Sequence, residues 1–260
     1  MIRSLCIFLL VFFYSTFSFG QNDTIIVTGD FDYPPFSFID ENGKATGYDI
    51  DIMNAIAEIT GLKIRFELTK WDSALHQLKT GKADVVTSIV YAAEREKIYD
   101  FSFPLHTEYY GIFAKRTTKI EDINDLGGKT NAVLKGDISN ELFYKPMGLT
   151  GNDTVVQSFP EAFSLINSDQ CKYVIAPYSL GMEIVNDNHL SNIEVKGPPI
   201  VPSVFCYAVK QGDYELLAWI NQGIEILSRM ENLIAFTING SSINVMKAGI
   251  KNSFIIRLLA

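Results

Sequence analysis

Short apolar runs and amphipathic segments alternate along the chain. β-rich runs cover residues 24–30, 63–69 and 83–90, and apolar residues recur at helical spacing over residues 47–61 and 72–81. Each helical segment ends at a glycine, which is a common helix stop. This β-α-β-α-β order predicts a parallel sheet with helices on its faces.

The same alternation restarts in the second half of the chain. Strand patterns cover residues 129–134, 172–177 and 203–212. Helical segments accompany them at residues 137–144, 161–168, 178–186 and 213–230. A second α/β unit therefore spans roughly residues 110–204, and the sequence predicts an α/β protein.

Polar residues mark the expected turns and helix starts. Asn42 and Gly43 form a turn signal. Asp72 is placed to cap the second helix, while Asp49 and Asp51 favour the start of the first helix through its dipole.

Two aromatic residues flank a pair of prolines directly after the first strand. Tyr33 and Phe36 enclose Pro34 and Pro35. A packed core does not need this arrangement, whereas a rigid aromatic wall at the end of a strand does. Ligands of open α/β sheets bind beyond the carboxyl ends of the strands, so this wall is a candidate binding surface.

Composition limits the class of protein and its partners. The chain has 260 residues, which is enough for one large or two modest domains, and 47% of them are hydrophobic. The formal net charge of −8 argues against a nucleic-acid partner, because a nucleic-acid-binding protein carries a basic face.

The first twenty residues have the pattern of a secretory signal peptide. Arg3 is their only charge, residues 5–13 are apolar, and Gly20 ends a stretch of small residues at the cleavage spacing. We therefore expect a periplasmic, secreted protein. The alternative is an uncleaved anchor, but the apolar run is short for a membrane span.

Cysteine and histidine residues give no metal or cofactor signal. Cys171 and Cys206 remain after cleavage and lie in strand-like segments, so we expect buried free thiols, with a disulfide as the alternative. The "GGKT" at residues 127–130 lacks the glycine that a phosphate-binding loop needs, because Ile123 stands there. We expect no metal and no cofactor.

Five motifs stand in the order of a known family. They are "YPPFSFIDENGKATGYDIDI", "WDSALHQLKTGKADVV", "EREKIYDFSFPL", "IEDINDLGGKTNAVLKGD" and "GDYELLAWINQGIEIL", and together they span about residues 24–229. The chain resembles the type II periplasmic solute-binding proteins of the polar-amino-acid class, family 3.

The resemblance implies a two-lobed fold. Two α/β lobes joined by two crossing strands would hold a ligand in the cleft between them and close about a hinge. Lobe 1 would comprise residues 22–109 and 205–260, and lobe 2 residues 110–204. The crossings would lie near residues 107–111 and 204–207.

Arg95 is the strongest binding candidate that the resemblance provides. In relatives this arginine grips the ligand α-carboxylate, a task that suits the guanidinium fork. The alternative is an ion pair with a nearby acid, for which Glu94, Asp100 and Glu108 are the candidates.

Other residues of the first lobe would complete the site. In the family an aromatic residue at the position of Tyr33 stacks on the ligand, and lobe packing is the alternative. Thr87 and Ser88 would supply hydrogen bonds, together with the backbone amide of Val90. Trp71 is expected to pack its helix against the sheet, with ligand stacking as the alternative.

The second lobe departs from the family pattern. Backbone amides near Gly136 would hold an anion, but Asp137 follows where relatives carry threonine; its alternative role is a helix N-cap. Tyr178 stands where relatives carry the acid that takes the ligand ammonium. Either Asp137 takes over that role, or the ligand is a carboxylate without an α-amino group.

Three functions compete under this resemblance. A monomeric solute receptor would deliver its ligand to the permease of an ABC transporter. A ligand-sensing domain of a signalling receptor would use the same cleft, and the unusual C-terminal segment, residues 232–260, allows a chain cut short before a membrane span. A cyclohexadienyl dehydratase-like enzyme would need a general acid, with His106, Glu108 and Asp137 as candidates.

Overall fold

The structure, a computed structural model, describes residues 24–149 and 152–237. The expected signal peptide and residues 238–260 of the C-terminal segment lie outside the described residues.

Strands and helices alternate through these residues. The strands are β1 (Ile25–Thr28), β2 (Asp32–Tyr33), β3 (Ser37–Ile39), β4 (Ala45–Thr46), β5 (Ile64–Phe66), β6 (Val85–Val90), β7 (Tyr99–Phe101), β8 (His106–Lys115), β9 (Asn131–Leu134), β10 (Asp153–Val156), β11 (Tyr173–Pro177) and β12 (Ile193–Lys210). The helices are α1 (Tyr48–Thr60), α2 (Trp71–Thr80), α3 (Ala93–Glu96), α4 (Phe159–Asn167), α5 (Tyr178–Asp187) and α6 (Tyr214–Thr237). A 3₁₀ turn at Ile123–Leu126 and a π-helical turn at Asn140–Tyr144 complete them.

One curled sheet of nine strands runs through the described part of the chain. Its order is β10-β9-β11-β8-β12-β6-β1-β5, and β7 pairs with β12. Strand β1 is parallel to β5 and β6, and β9 is parallel to β10 and β11, as expected for two βαβ units. A small separate sheet, β2-β3-β4, holds the turn at Asn42 and Gly43 between β3 and β4.

The sheet divides into two lobes that share two long strands. The first lobe contains β1, β5 and β6 with α1, α2 and α6, and the second contains β9, β10 and β11 with α4 and α5. Strands β8 and β12 run antiparallel from one lobe to the other, with His106 opposite Phe205 at one end and Lys115 opposite Ile193 at the other. The expected two-lobed α/β fold with two crossing strands is confirmed.

Hydrophobic patterning accounts for the burial of both lobes. Every residue of β6 and of β11 is buried, because helices cover both faces of the sheet there. A second core cluster lies beneath α1 and α6, where Ile56 and Ile220 are fully buried. Gly223 lets the two helices approach, since a Cβ there would lie 2.7 Å from Ile56.

The helix stops are where the sequence predicts them. Gly61 and Gly81 end α1 and α2 in the left-handed conformation, at φ 77° and 72°, and their N–H groups bond the last carbonyls of each helix. The predicted cap at Asp72 is wrong: α2 begins at Trp71, with Lys70 at the N-cap. Asp72 instead pairs with Lys135 of the second lobe at 2.7 Å.

Strand β10 has no counterpart in the sequence prediction. Three of its four residues are exposed, so the run from Asp153 to Val156 lacks the apolar pattern of a buried strand.

Both cysteines, Cys171 and Cys206, are buried free thiols as expected.

Candidate functional site

A narrow cavity lies between the two lobes. Loops that follow β1 and β6 face loops that follow β9 and β10 across it. Its charged lining residues are Asp30, Arg95 and Asp137, and its aromatic ones are Tyr33, Trp71, Tyr110, Phe159 and Phe205. The free volume of this cavity is about 20 Å³, which is enough for about one water molecule. The lobes are therefore closed on each other.

Arg95 reaches from the first lobe to the second. It lies on α3, directly after β6, and Nη2 donates to the Gly136 carbonyl at 3.0 Å while Nη1 donates to Val90 O at 3.3 Å. Burial lowers its pKa, and Asp137 opposes that effect.

The ion pair expected as the alternative for Arg95 is not formed. Among the ion pairs of the described residues none involves Arg95. Its three candidate partners are engaged elsewhere: Glu94 pairs with Lys97, Asp100 accepts the N–H of Gly212, and Glu108 accepts the N–H of Ser179. The guanidinium thus faces the cavity bonded to backbone carbonyls alone.

Trp71 lies at the same interlobe contact. Its Nε1 donates to Gly136 O at 3.0 Å, and the guanidinium carbon of Arg95 lies 6.0 Å from the indole ring centroid. Gly136 has φ 80°, and a Cβ there would lie 3.5 Å from Trp71 and Leu75. One carbonyl of the second lobe therefore accepts two donors of the first.

The two aromatic residues around the prolines have different positions. Tyr33 lines the cavity, and its ring lies 6.3 Å from Phe159 of the second lobe. Phe36 lies behind it and stacks on His106 at 4.8 Å, outside the cavity lining. His106 in turn stacks on Phe205 at 4.8 Å, and burial lowers its pKa to about 4, so it is neutral.

Ser88 lines the cavity, whereas Thr87 is fully buried outside its lining. Ser88 has φ 54°, and its hydroxyl donates to Asp49 Oδ2. Asp49 is itself fully buried, and burial raises its pKa to about 7 while the Ser88 hydrogen bonds oppose that rise. The proton of Ser88 is thus used within the first lobe.

Two carboxyl groups face Arg95 within the cavity. Asp30 follows β1, and burial raises its pKa to about 7. Asp137 is 9% exposed; its Oδ1 accepts the Ser139 N–H at 2.8 Å and its Oδ2 accepts the Tyr110 hydroxyl at 3.5 Å. Burial raises its pKa as well. Asp137 therefore also caps the turn that follows it.

Tyr178 does not line the cavity. It begins α5, and its side chain is 43% exposed. The backbone N–H of the next residue, Ser179, donates to Glu108 Oε1. A carboxylate from the crossing strand β8 thus occupies the start of α5.

Sequence reasoning missed five of the cavity residues, one of which is Leu134 at the end of β9. Asp30 lies just beyond the carboxyl end of β1, and this position could have marked it in the sequence as a candidate for the site. Tyr110, Phe159 and Phe205 come from β8, α4 and β12, so only the tertiary fold brings them to the cavity.

The described ranges contain no group of three or more metal-ligating side chains. Within them, no helix combines the length and apolar character needed to cross a bilayer.

Comparison with known proteins points to one family. The model of "Bacterial extracellular solute-binding proteins, family 3" matches residues 25–234. The L-cystine-binding protein TcyJ of Escherichia coli is 24% identical over 84% of this chain and 82% of its own. A histidine kinase sensor domain with similarity to periplasmic binding proteins is 32% identical, with a TM-score of 0.79, over 86% of this chain and 98% of its own. An ancestral arginine-binding protein bound to arginine is 30% identical, with a TM-score of 0.74, over 80% and 94%.

Proposed function

The chain belongs to the bacterial extracellular solute-binding proteins of family 3, and on that premise we propose that it captures a small amino-acid-like or carboxylate ligand between its lobes and delivers it to an ABC importer. Hinge motion about β8 and β12 opens and closes the cleft. We propose lobe boundaries at residues 22–109 with 205–260, and at 110–204.

The observation that supports this proposal most strongly is the position of Arg95. Its guanidinium is bonded only to the carbonyls of Val90 and Gly136, in a cavity between the lobes. A ligand carboxylate offers a charged, bidentate partner in place of two neutral carbonyl oxygens, and this fork-to-fork pairing adds energy as well as geometric specificity. Arg95 is therefore the anchor of the ligand.

The neighbouring residues define the shape of the site. Tyr33 and Trp71 form aromatic walls, and Ser88, Val90 and Gly136 place short side chains or backbone groups beside Arg95. Asp30 and Asp137 line the same cavity, and an ammonium group beside either carboxyl would favour its ionised form. This pairing of charges favours a zwitterionic ligand over a simple anion.

Two hydrogen bonds between the lobes can form only when the cleft is closed. Trp71 and Arg95 of the first lobe both donate to Gly136 O of the second. A ligand of amino-acid size exceeds the remaining free space, so the lobes must part to admit it. The ligand then favours closure by its differential affinity for the closed form.

We further propose that the protein acts outside the cytoplasm as a monomer, with a membrane permease as partner. The chain is not an enzyme in this account, since the relatives compared are binding proteins and a sensor domain. The stacked, neutral His106 also lies outside the cavity lining, which does not favour it as a general acid.

A thermal-shift screen of amino acids and small organic acids tests the binding function. A ligand at 100 times its Kd adds about 2.7 kcal/mol to the free energy of unfolding. The wild type should respond to one class of carboxylate, and Arg95→Ala should not, although its ligand-free melting temperature stays close to that of the wild type. A screen without any response, or an equal response of both proteins, would contradict the proposal.

A sensory function is the second candidate. The histidine kinase sensor domain shares 32% identity with this chain over most of both lengths, and this similarity specifically favours a sensory function. Reconstitution of ligand-stimulated ATP hydrolysis with a neighbouring permease and ATPase would support delivery. Ligand-dependent kinase or cyclase activity of a neighbouring gene product would support sensing.

A further inference from the structure

Glu108 is a buried carboxylate with one oxygen unused. It lies on β8, where that strand crosses between the lobes, and is 7% exposed. Its Oε1 accepts the N–H of Ser179 at the start of α5. Its Oε2 is buried without a hydrogen-bond partner among the described residues. A buried carboxylate oxygen in this state is costly, so its presence needs a cause.

Two further buried oxygens near Glu108 also lack a partner within the described chain. They are Ser203 Oγ and Tyr33 Oη. Ser203 is the direct cross-strand neighbour of Glu108 on β12, so the two side chains stand side by side on one face. Tyr33 lines the same cavity as Tyr110, which is two residues from Glu108 on β8. Burial raises the pKa of the Tyr33 hydroxyl, and Tyr110 and Glu108 add to that rise.

This group of oxygens borders the ligand cavity. Side chains alternate along a strand, so Glu108 and Tyr110 point to the same side of β8, and Tyr110 lines the cavity. Ser203 and Phe205 share a side of β12 in the same way, and Phe205 lines the cavity too. The distance along the strand between Glu108 and Tyr110 is about 7 Å.

The three oxygens match the hydrogen-bonding needs of an ammonium group. An ammonium has three donors and no acceptor, as for the lysine side chain. Glu108 supplies a carboxyl acceptor, and the hydroxyls of Ser203 and Tyr33 supply two neutral ones. Burial raises the pKa of Glu108 against the hydrogen bond from Ser179, and an ammonium beside it would favour the ionised form. Arg95 and Tyr110 line the same cavity, and Glu108 lies two residues before Tyr110 on the same side of β8. A ligand between them has its carboxylate at Arg95 and its ammonium at Glu108.

The position of the Glu108 carboxylate at the start of α5 bears on the acid that is missing from the sequence of that helix. Relatives are expected to carry an acid at the position of Tyr178, and no carboxylate stands there. The adjacent Ser179 N–H holds the Glu108 carboxylate at the start of the same helix. Resting on the proposed function, we propose that Glu108 receives the ammonium of an amino-acid ligand, in place of the acid missing from α5.

The other two acids of the cavity are less suited to this role. Both Asp137 oxygens already accept hydrogen bonds, from Ser139 N–H and from the Tyr110 hydroxyl. Asp30 Oδ1 accepts the Asp32 N–H at 3.0 Å. An ammonium at Asp137 would thus compete with existing hydrogen bonds on both oxygens, whereas Glu108 Oε2 is buried without a partner among the described residues.

Matched ligands test the assignment. The probes are the proteinogenic L-amino acids, each paired with the carboxylic acid that carries hydrogen in place of the α-ammonium. Affinities are measured calorimetrically for the wild type and Glu108→Gln, which keeps the Oε1 acceptor for Ser179 but removes the charge. Glu225→Gln, on the exposed face of α6, is the matched control.

Glu108→Gln should weaken binding of the amino acid by about 100-fold and change binding of its des-amino partner by less than about 3-fold. Ser203→Ala leaves the Ser179 contact intact and should give a smaller loss of about 5-fold, again for the amino acid alone. This second variant decides the question if Glu108→Gln does not fold.

Three results would overturn the assignment. The first is an unchanged amino-acid affinity in Glu108→Gln and Ser203→Ala. The second is an equal loss for both members of a ligand pair, which marks a structural role. The third is a selective loss in Asp30→Asn or Asp137→Asn instead. A wild type that binds only des-amino acids would refute the ammonium site alone, whereas one that binds neither class would refute the proposed function as well.

Discussion

At one end of the cleft Arg95 donates to the carbonyls of Val90 and Gly136, whereas at the other end Glu108 Oε2, Tyr33 Oη and Ser203 Oγ are buried without partners in the described part of the chain. The first end is satisfied by the protein itself in the closed, ligand-free state. The second end is not.

This difference separates two contributions to binding. At the Arg95 end a ligand carboxylate replaces existing protein hydrogen bonds, so the gain is the difference between charged and neutral acceptors. At the Glu108 end a ligand supplies hydrogen bonds that are absent before it binds. Under the proposed function, the Arg95 end contributes hydrogen bonds between the lobes, and the Glu108 end favours a ligand that carries a donor.

The largest expected effect is at the Arg95 end. Arg95→Ala should weaken ligand binding by more than about 1000-fold, because it removes both charged hydrogen bonds to the carboxylate. Arg95→Lys keeps the charge without the fork and should recover part of the loss. Titration calorimetry measures both, and an affinity for Arg95→Ala within 3-fold of the wild type would make Arg95 a structural residue.

A second test concerns Ser88, which lies at the satisfied end. Its partner Asp49 has a pKa raised to about 7, above the unfolded value near 3.8, so the folded state binds more protons between these values. Stability should therefore fall as pH rises from about 4 to 7, by about 4 kcal/mol for a shift of this size, and then level off.

Asp49→Asn should flatten that pH dependence, as followed by urea unfolding at several pH values. Glu58→Gln is the control on the same helix, since Glu58 is exposed. An unchanged slope in Asp49→Asn would show that folding does not raise the pKa of Asp49.

A smaller effect is expected for Trp71→Phe. This change removes the indole N–H bond to Gly136 O and should shift the open–closed balance by about 1 kcal/mol toward the open form. The radius of gyration of the ligand-free protein, measured by X-ray scattering, should increase. Trp219→Phe, on the outer side of α6, should leave it unchanged, and an unchanged value in both would mean that this contact does not hold the lobes closed.

The smallest effect concerns the other interlobe contact. Lys135 and Asp72 pair at 2.7 Å but remain 55% and 25% exposed. Lys135→Met should therefore change ligand affinity by less than about 3-fold, and less still at high salt. A larger, salt-resistant change would place this pair among the main determinants of closure.

The sequence predicts the lobes better than the cleft. Periodicity and glycine stops identify α1, α2 and the buried strands, because those signals are local. Tyr33, Trp71, Ser88, Val90, Arg95 and Asp137 reach the cavity from positions that family motifs mark. Phe36, Thr87 and Tyr178 do not line it, since strand alternation or helix position turns them elsewhere.

The Glu108 end was beyond local sequence reasoning. Its members come from β2, β8 and β12, far apart in sequence, and only the register of the crossing strands brings Glu108 opposite Ser203. The sequence offered Glu108 only as an ion-pair partner of Arg95 or as a general acid. In the structure the Glu108 carboxylate accepts the Ser179 N–H, and this hydrogen bond indicates neither of those two roles.

A crystal structure with the ligand found in the screen tests the central claim most directly. The account predicts the ligand between the lobes, its carboxylate within hydrogen-bond distance of both Arg95 Nη atoms, and the bond from Arg95 to Gly136 O released. A ligand bound outside the cleft, with Arg95 still bonded to Gly136 O, would contradict it.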